Sequence, residues 1–239
     1  MSISRSVRRV RLAALLAMFF ALACTHPSDG RPAGLPSGIN DAFLDEDLEV
    51  EVFVERFEGE SRAVYAQRFA IVEALELSPG DVVADIGAGT GFFSFLFADA
   101  VGSTGRVQAV EISARFLDHL REESARRGLD NVEVVKGTTT SVQLPSAQTD
   151  LAFICDVYHH FEAPQDSLAS LHAAIEPGGE LILIEFHRIP GETPDWLLEH
   201  VRAGREVFQA EIESAGFRFV EEIVLPGLDD NYVLRFERP

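Results

Sequence analysis

The segment from Val82 to Val101 constrains the fold most. Val82-Val83-Ala84-Asp85-Ile86 is a short apolar run rich in β-branched residues, which predicts a strand buried on both faces. Gly87, Gly89 and Gly91 follow at alternate positions, and Phe92 to Val101 is almost wholly apolar, which predicts a buried helix. A strand that enters a helix through a glycine loop opens a β-α-β unit, and the alternation continues downstream. Strands are expected at Arg106 to Glu111, Val132 to Lys136, Asp150 to Cys155 and Glu180 to Phe186. Helices are expected at Ala114 to Arg127 and Pro164 to Ile175.

Upstream, Asp41 to Glu60 predicts an irregular helical lead-in and Ser61 to Leu77 a helix. Downstream, Thr193-Pro194 starts a helix expected to reach Ala215, with Gly216 as its cap. Leu197, Val201, Gly204, Phe208, Ile212 and Ala215 form its stripe. Phe217 to Leu225 and Tyr232 to Phe236 flank a short turn-rich connection and are expected to pair as a hairpin. The resulting class is α/β: a doubly wound, mostly parallel, seven-stranded Rossmann-like sheet with a C-terminal antiparallel hairpin.

The N-terminus is expected to be an address. Arg5, Arg8, Arg9 and Arg11 precede an apolar run from Leu12 to Ala23. That run falls short of the roughly 20 residues needed to span a bilayer. Residues 1–23 therefore read as an export signal. Ala21-Leu22-Ala23-Cys24 resembles a bacterial lipoprotein signal, in which Cys24 would carry the lipid. Ala21 and Ala23 fit an ordinary secretory cleavage site as well. Residues 24–40, rich in Pro, Gly and Ser, read as a flexible tether, and 41–239 as the folded domain. The expected location is outside the cytoplasm, periplasmic or anchored to a membrane through Cys24. A net charge of −19 repels phosphate backbones and excludes nucleic acid as a partner. Two cysteines exclude a disulfide framework.

The glycine loop lies at the carboxyl end of the first strand, where open α/β sheets bind ligands. Glu111 ends the next strand, placed to accept hydrogen bonds from the vicinal hydroxyls of a ribose. A dinucleotide loop would carry its third glycine one residue later, where Phe92 stands. Asp85 suits a ligand with an ammonium group and repels a pyrophosphate. S-adenosylmethionine, with an α-amino group, a ribose and a sulfonium, satisfies both constraints. A nicotinamide-dependent reductase is disfavoured on the same two residues.

Val83-Ala84-Asp85-Ile86-Gly87-Ala88-Gly89-Thr90-Gly91 resembles the first motif of class I S-adenosylmethionine-dependent methyltransferases. Val110-Glu111-Ile112 resembles their acidic ribose site. The run from Asp150 to Phe161, with paired His159 and His160, resembles their fourth-strand motif. Glu176-Pro177-Gly178-Gly179 resembles the turn into their fifth strand. The subgroup that matches best contains the ubiquinone and menaquinone C-methyltransferases, which also carry paired histidines after strand four and Glu-Phe at the end of strand five. The resemblance implies S-adenosylmethionine as cofactor and Asp85, Gly87, Gly89, Gly91, Glu111, Ile112, Thr138 and Asp156 as its contacts. Thr138 departs from the pattern, standing where the family usually places an acid for the adenine amino group.

Methyl transfer requires chiefly that the acceptor be held in line with an activated carbon. A base is needed only where the acceptor must first lose a proton. Asp156, His159, His160, Glu185 and His187 follow strands four and five; His160 and His187 are the candidate catalytic residues, with Asp156 as a possible orienting group. Asp156, His160 and His187 lack compact metal-ligand spacing, so no metal site is assigned. Trp196 and His200 fall where the family builds its acceptor-binding region, and Arg62 and Tyr65 where a lead-in helix can close over the cofactor. The expected reaction is methyl transfer to a small or lipid-like acceptor; the alternative is an exported lipoprotein that binds the nucleoside without turnover.

Overall fold

The structure, a computed structural model, describes residues 31–239. The expected export signal, Cys24 and the first part of the expected tether lie outside the described residues. In chain order the elements are α1 (Asp41–Leu44), α2 (Val50–Phe57), α3 (Ala63–Ala66), α4 (Arg68–Ala74), β1 (Val82–Ile86), α5 (Phe92–Val101), β2 (Arg106–Glu111), α6 (Ala114–Arg127) and β3 (Val132–Lys136). There follow β4 (Thr149–Cys155), α7 (Pro164–Ala174), β5 (Ile175–Phe186), α8 (Asp195–His200), α9 (Arg205–Ser214), β6 (Arg218–Glu222) and β7 (Asn231–Glu237).

The seven strands form one sheet in the order β3-β2-β1-β4-β5-β7-β6. The first five run parallel, and β7 is antiparallel to both β5 and β6. The doubly wound class and its antiparallel C-terminal pair are therefore as expected. Both faces of the central strands are apolar, so their side chains divide by period two. Val83, Phe153, Ile182 and Ile184 pack with Ile71 of α4 and Phe93, Phe97 and Val101 of α5. Ala84, Ile154, Leu181 and Leu183 pack on the opposite face with Leu168 and Leu171 of α7 and Phe208 and Ile212 of α9. The chain winds outward from β1 in one direction and from β4 in the other. A crevice opens at the carboxyl ends of these two strands.

Two expected helices are broken. Ser61 to Leu77 divides at Gln67, where the Arg68 guanidinium takes the carbonyl of Tyr65 at 2.6 Å. Thr193 to Ala215 divides into α8 and α9, because residues 201–204 leave helical geometry and Gly204 is extended (φ −89°, ψ 178°). Arg202, inside the break, turns inward and donates to both oxygens of Glu211, at 2.9 and 2.5 Å. The tether is also shorter than expected. Leu35, Ile39 and Asn40 are buried against the domain, so residues from 35 onward belong to it.

Candidate functional site

A cavity of about 580 Å³ occupies the crevice. This is within the range of ligand pockets. The glycine loop and Glu111 line one end, and Phe43, Phe53, Phe57 and Phe116 roof it from α1, α2 and α6. His159, His160 and His200 line it as well.

Gly87 and Gly89 have φ +73° and +54°, conformations that favour glycine. A Cβ on Gly87 would lie 2.5 Å from Cγ1 of Val157, so no side chain fits where the loop passes β4. Gly91 plays a different part from the one expected. It does not line the cavity. Its φ is +82°, and an added Cβ would meet Leu120 at 2.5 Å, so it serves the close packing of α5 on α6.

Glu111 is 7% exposed and accepts three backbone N–H groups. Gly89 donates to Oε2 at 2.9 Å, while Ile112 and Ser113 donate to Oε1 at 2.7 and 2.9 Å. Burial pushes its pKa up, and these three donors pull against that shift. Glu111 also lines the cavity. Asp85 lies behind the loop, 4% exposed, and accepts the Ser94 hydroxyl at 2.6 Å. Burial raises its pKa from 3.8 to about 7. Thr90 Oγ1 is buried and has no hydrogen-bond partner among the described residues, which leaves a polar atom in the loop for a ligand. Ile112 also lines the cavity. Thr138 lies at its edge, exposed, its hydroxyl 3.3 Å from the Ser141 carbonyl within its own turn.

Asp156 lines the cavity at the end of β4 with φ +54°. Arg62 donates to its Oδ2 at 2.6 Å and Asn231 to its Oδ1 at 2.7 Å. It is thus committed to Arg62 and Asn231, not to orienting a histidine. Burial pushes its pKa up in spite of Arg62. The Arg62 guanidinium also stacks over Phe57 and Phe92. Tyr65 does not line the cavity; it packs on Phe92 beneath Arg68. Cys155 lines the cavity, but burial pushes its thiol well up, away from the thiolate a nucleophile needs.

The two expected catalytic histidines separate. His187 does not line the cavity: its backbone N–H bonds the Asp230 carbonyl and its ring packs edge-on to Tyr232. His160 does line it, with Nδ1 3.1 Å from Oδ1 of Asn40. Burial, with His159 and His200 beside it, pushes its pKa down to about 2, too low for an effective base at neutral pH. His159 lines the cavity beside it. It is 1% exposed, and its Nδ1 lies 2.8 and 2.9 Å from the two oxygens of Glu185, which is fully buried on β5. The backbone N–H groups of His159 and Phe186 also donate to Glu185. This pairing is a consequence of β4 and β5 being neighbours, and both residues stood among the strand-end candidates. Asn40 had no sequence signal.

A mostly parallel sheet with a reversed seventh strand, a glycine loop after β1 and an acid after β2 make up a Rossmann-like methyltransferase fold. Residues 83–179 match the family described as "Methyltransferase domain". The ubiquinone/menaquinone biosynthesis C-methyltransferase UbiE of Ectopseudomonas mendocina is 32% identical over 126 residues, 52% of this chain and 48% of the relative. UbiE of Hydrogenovibrio crunogenus is 30% identical over 120 residues, 48% of this chain and 47% of the relative. The chain thus spans about half the length of the curated relatives it matches. A solved S-adenosylmethionine-dependent methyltransferase from Aquifex aeolicus shares the fold with a TM-score of 0.70 at 19% identity, over 80% of this chain and 99% of the other. The [4+2]-cyclase SpnF shares it with a TM-score of 0.62 at 16% identity, over 73% and 81% of the two chains.

Proposed function

We propose that this protein transfers a methyl group from S-adenosylmethionine to a small, lipophilic acceptor outside the cytoplasm. One observation carries the reading: a single cavity joins the glycine loop and Glu111 to a wall of phenylalanines and histidines. Donor and acceptor can therefore lie in one enclosed space. The residues present fit the donor. Glu111 would accept the ribose hydroxyls, Asp85 would face the ammonium group, and Gly87 and Gly89 admit close approach of the backbone. When bound, the donor supplies a methyl carbon already activated by a sulfonium, so no covalent enzyme intermediate is required. The chain's own work is to hold the acceptor in line and exclude water. Phe43, Phe53 and Phe116 supply an apolar surface for a flat or lipid-like acceptor. The similarity to relatives named ubiquinone/menaquinone biosynthesis C-methyltransferases supports trying quinone-type acceptors first.

Calorimetric titration of the full chain with S-adenosylmethionine and S-adenosylhomocysteine tests the donor site. Both are expected to bind, and Glu111→Ala is expected to weaken each by more than ~1 kcal/mol, about fivefold in Kd. No binding by folded protein would sink the methyl-transfer reading. Binding with no turnover on any quinone, phenol or lipid acceptor would favour the exported nucleoside-binding alternative.

Export rests on the arginine-led apolar run of residues 1–23. Cell fractionation and N-terminal sequencing of the mature protein are expected to show loss of Met1 to Ala23, with Cys24 first if the lipoprotein signal is used. An intact chain recovered from the cytoplasm would overturn the location.

A further inference from the structure

Three imidazoles from two parts of the chain meet in the lining of the cavity. His159 and His160 lie in the turn after β4, and His200 is the last residue of α8. Their ring centroids are 4.3, 5.0 and 5.1 Å apart pairwise. One ring nitrogen from each lies within 4.8 Å of the other two. A structural histidine usually finds a carbonyl, a carboxylate or water for both nitrogens. Here Nδ1 of His159 is held by Glu185 and Nδ1 of His160 by Asn40. Each of these histidines thus has one nitrogen fixed from behind, and the His160 ring is held by the Ile39 backbone as well. A carboxylate or amide oxygen behind an imidazole is the usual arrangement around a metal-ligating histidine, because it fixes the tautomer and aims the free lone pair.

We propose that His159, His160 and His200 form a binding site for a divalent transition-metal ion, with Glu185 and Asn40 as the groups that orient two of the ligands. Three neutral imidazoles suit zinc, and also copper, nickel or iron, and are a poor set for magnesium or calcium, which take oxygen ligands. Zinc–nitrogen bonds of about 2.0–2.1 Å put tetrahedral ligand nitrogens about 3.3 Å apart. The widest pair here closes by at most about 1.5 Å on that scale. His200 can supply this movement, since it is half-buried at the end of a six-residue helix that breaks immediately after it. The remaining ligands stay where Glu185 and Asn40 hold them.

Three protein ligands leave one coordination position open toward the cavity, as in catalytic rather than structural zinc sites. Its occupant would be an oxygen, nitrogen or sulfur of the acceptor. If the methyl-transfer reading holds, a metal-bound acceptor hydroxyl releases its proton to solvent, its oxygen takes the methyl carbon, and the carbon–sulfur electron pair leaves with the sulfur. The ion then does what a base would otherwise do, which favours a heteroatom as the methylated atom.

The test is metal titration of the full chain, purified without an oligohistidine tag and stripped with chelator. Co2+ is expected to bind with one-to-one stoichiometry and give the visible bands of tetrahedral cobalt, which Zn2+ then bleaches by displacement. His200→Ala is expected to weaken Co2+ binding by at least tenfold, and Glu185→Gln by about 10–100-fold. X-ray absorption at the zinc edge of the wild type is expected to show imidazole scattering from three rings, a readout that needs no variant to fold. Absence of cobalt bands, fewer than two imidazoles at the zinc edge, or equally tight binding by folded His200→Ala would overturn the site. S-adenosylmethionine binding is measured separately on the metal-free protein, so failure of the metal site and failure of the donor site are told apart.

Discussion

Replacing Asp85 with asparagine is expected to stabilise the free protein at pH 8 while weakening its hold on S-adenosylmethionine. The carboxyl is buried beneath the glycine loop, and its neighbours are the Ser94 hydroxyl and the like charge of Glu111. Its folded pKa of about 7 lies above the ordinary 3.8. An acid whose pKa rises on folding contributes most stability below its unfolded value and loses it as pH climbs through the folded one. The full shift corresponds to about 4 kcal/mol at pH 8. Asparagine removes that penalty but must bury an amide with an unpaired NH2, which costs about 1–3 kcal/mol. A net gain of about 2 kcal/mol, a Tm rise of about 5 °C, is expected at pH 8 and little at pH 5. Binding moves the other way, because the carboxylate is the group that would face the donor's ammonium. Loss of a charge-assisted hydrogen bond is worth about 1.5–3 kcal/mol, so Kd should rise about 10–100-fold. The ratio of wild-type to variant affinity should shrink from pH 8 to pH 6 as Asp85 protonates; using the ratio cancels the ligand's own titration. A variant that is less stable at pH 8, or that binds the donor as tightly as the wild type, would show that Asp85 is structural.

How far the sequence can be read depends on whether a feature is local. The strands β1, β2 and β3 and the helices α5 and α6 fall where period and glycine placement put them, because each is specified by its own run of residues. The break between α8 and α9 was not legible for an instructive reason. Leu197, Val201, Phe208 and Ile212 are all buried and keep helical spacing across it. Periodicity reports which residues are buried, and two short helices can bury the same stripe as one long one. What breaks the run is an extended Gly204 and the inward turn of Arg202 toward Glu211, a contact between residues nine apart that no window of pattern weighs. The break also ends α8 at His200, beside His159 and His160. The site divides along the same line. The glycine loop and Glu111 were readable because a turn and a strand end define them. The pairing of His159 with Glu185 depends on β4 lying beside β5, and that of His160 with Asn40 joins residues 120 apart. Sequence could nominate His159 and Glu185 as strand-end residues, but could not foresee their contact.

Arg62→Ala is expected to cost about 3 kcal/mol, and Asp156→Asn in the same chain to restore much of it. Arg62 is the tie between the helical lead-in and the end of β4. Its guanidinium reaches Asp156 at 2.6 Å and the Phe57 carbonyl at 3.2 Å, and it covers the rings of Phe57 and Phe92. Asp156, with a side chain only 7% exposed, would be left with Asn231 as its one polar partner. Breaking a buried pair from one side costs about 3–5 kcal/mol, and the partial exposure of Arg62 puts this pair at the low end. The sign of the pH dependence follows from Asp156. Its folded pKa already lies above the ordinary value, and loss of Arg62 raises it further. The variant is therefore closest to the wild type at low pH and falls behind as pH rises through the new value. Asparagine at 156 tolerates the left-handed φ of +54° and removes the stranded charge. Thermal melts of the four proteins of this cycle at pH 5 and pH 8 check both points. A deficit equal at the two pH values, or one that Asp156→Asn leaves untouched, would mean that Arg62 acts through its stacking on Phe57 and Phe92 alone. In either case the lead-in loosens, and Phe53 and Phe57 move with it. These residues roof the cavity, so acceptor binding should weaken even where the donor contacts, on the loop and β2, are intact.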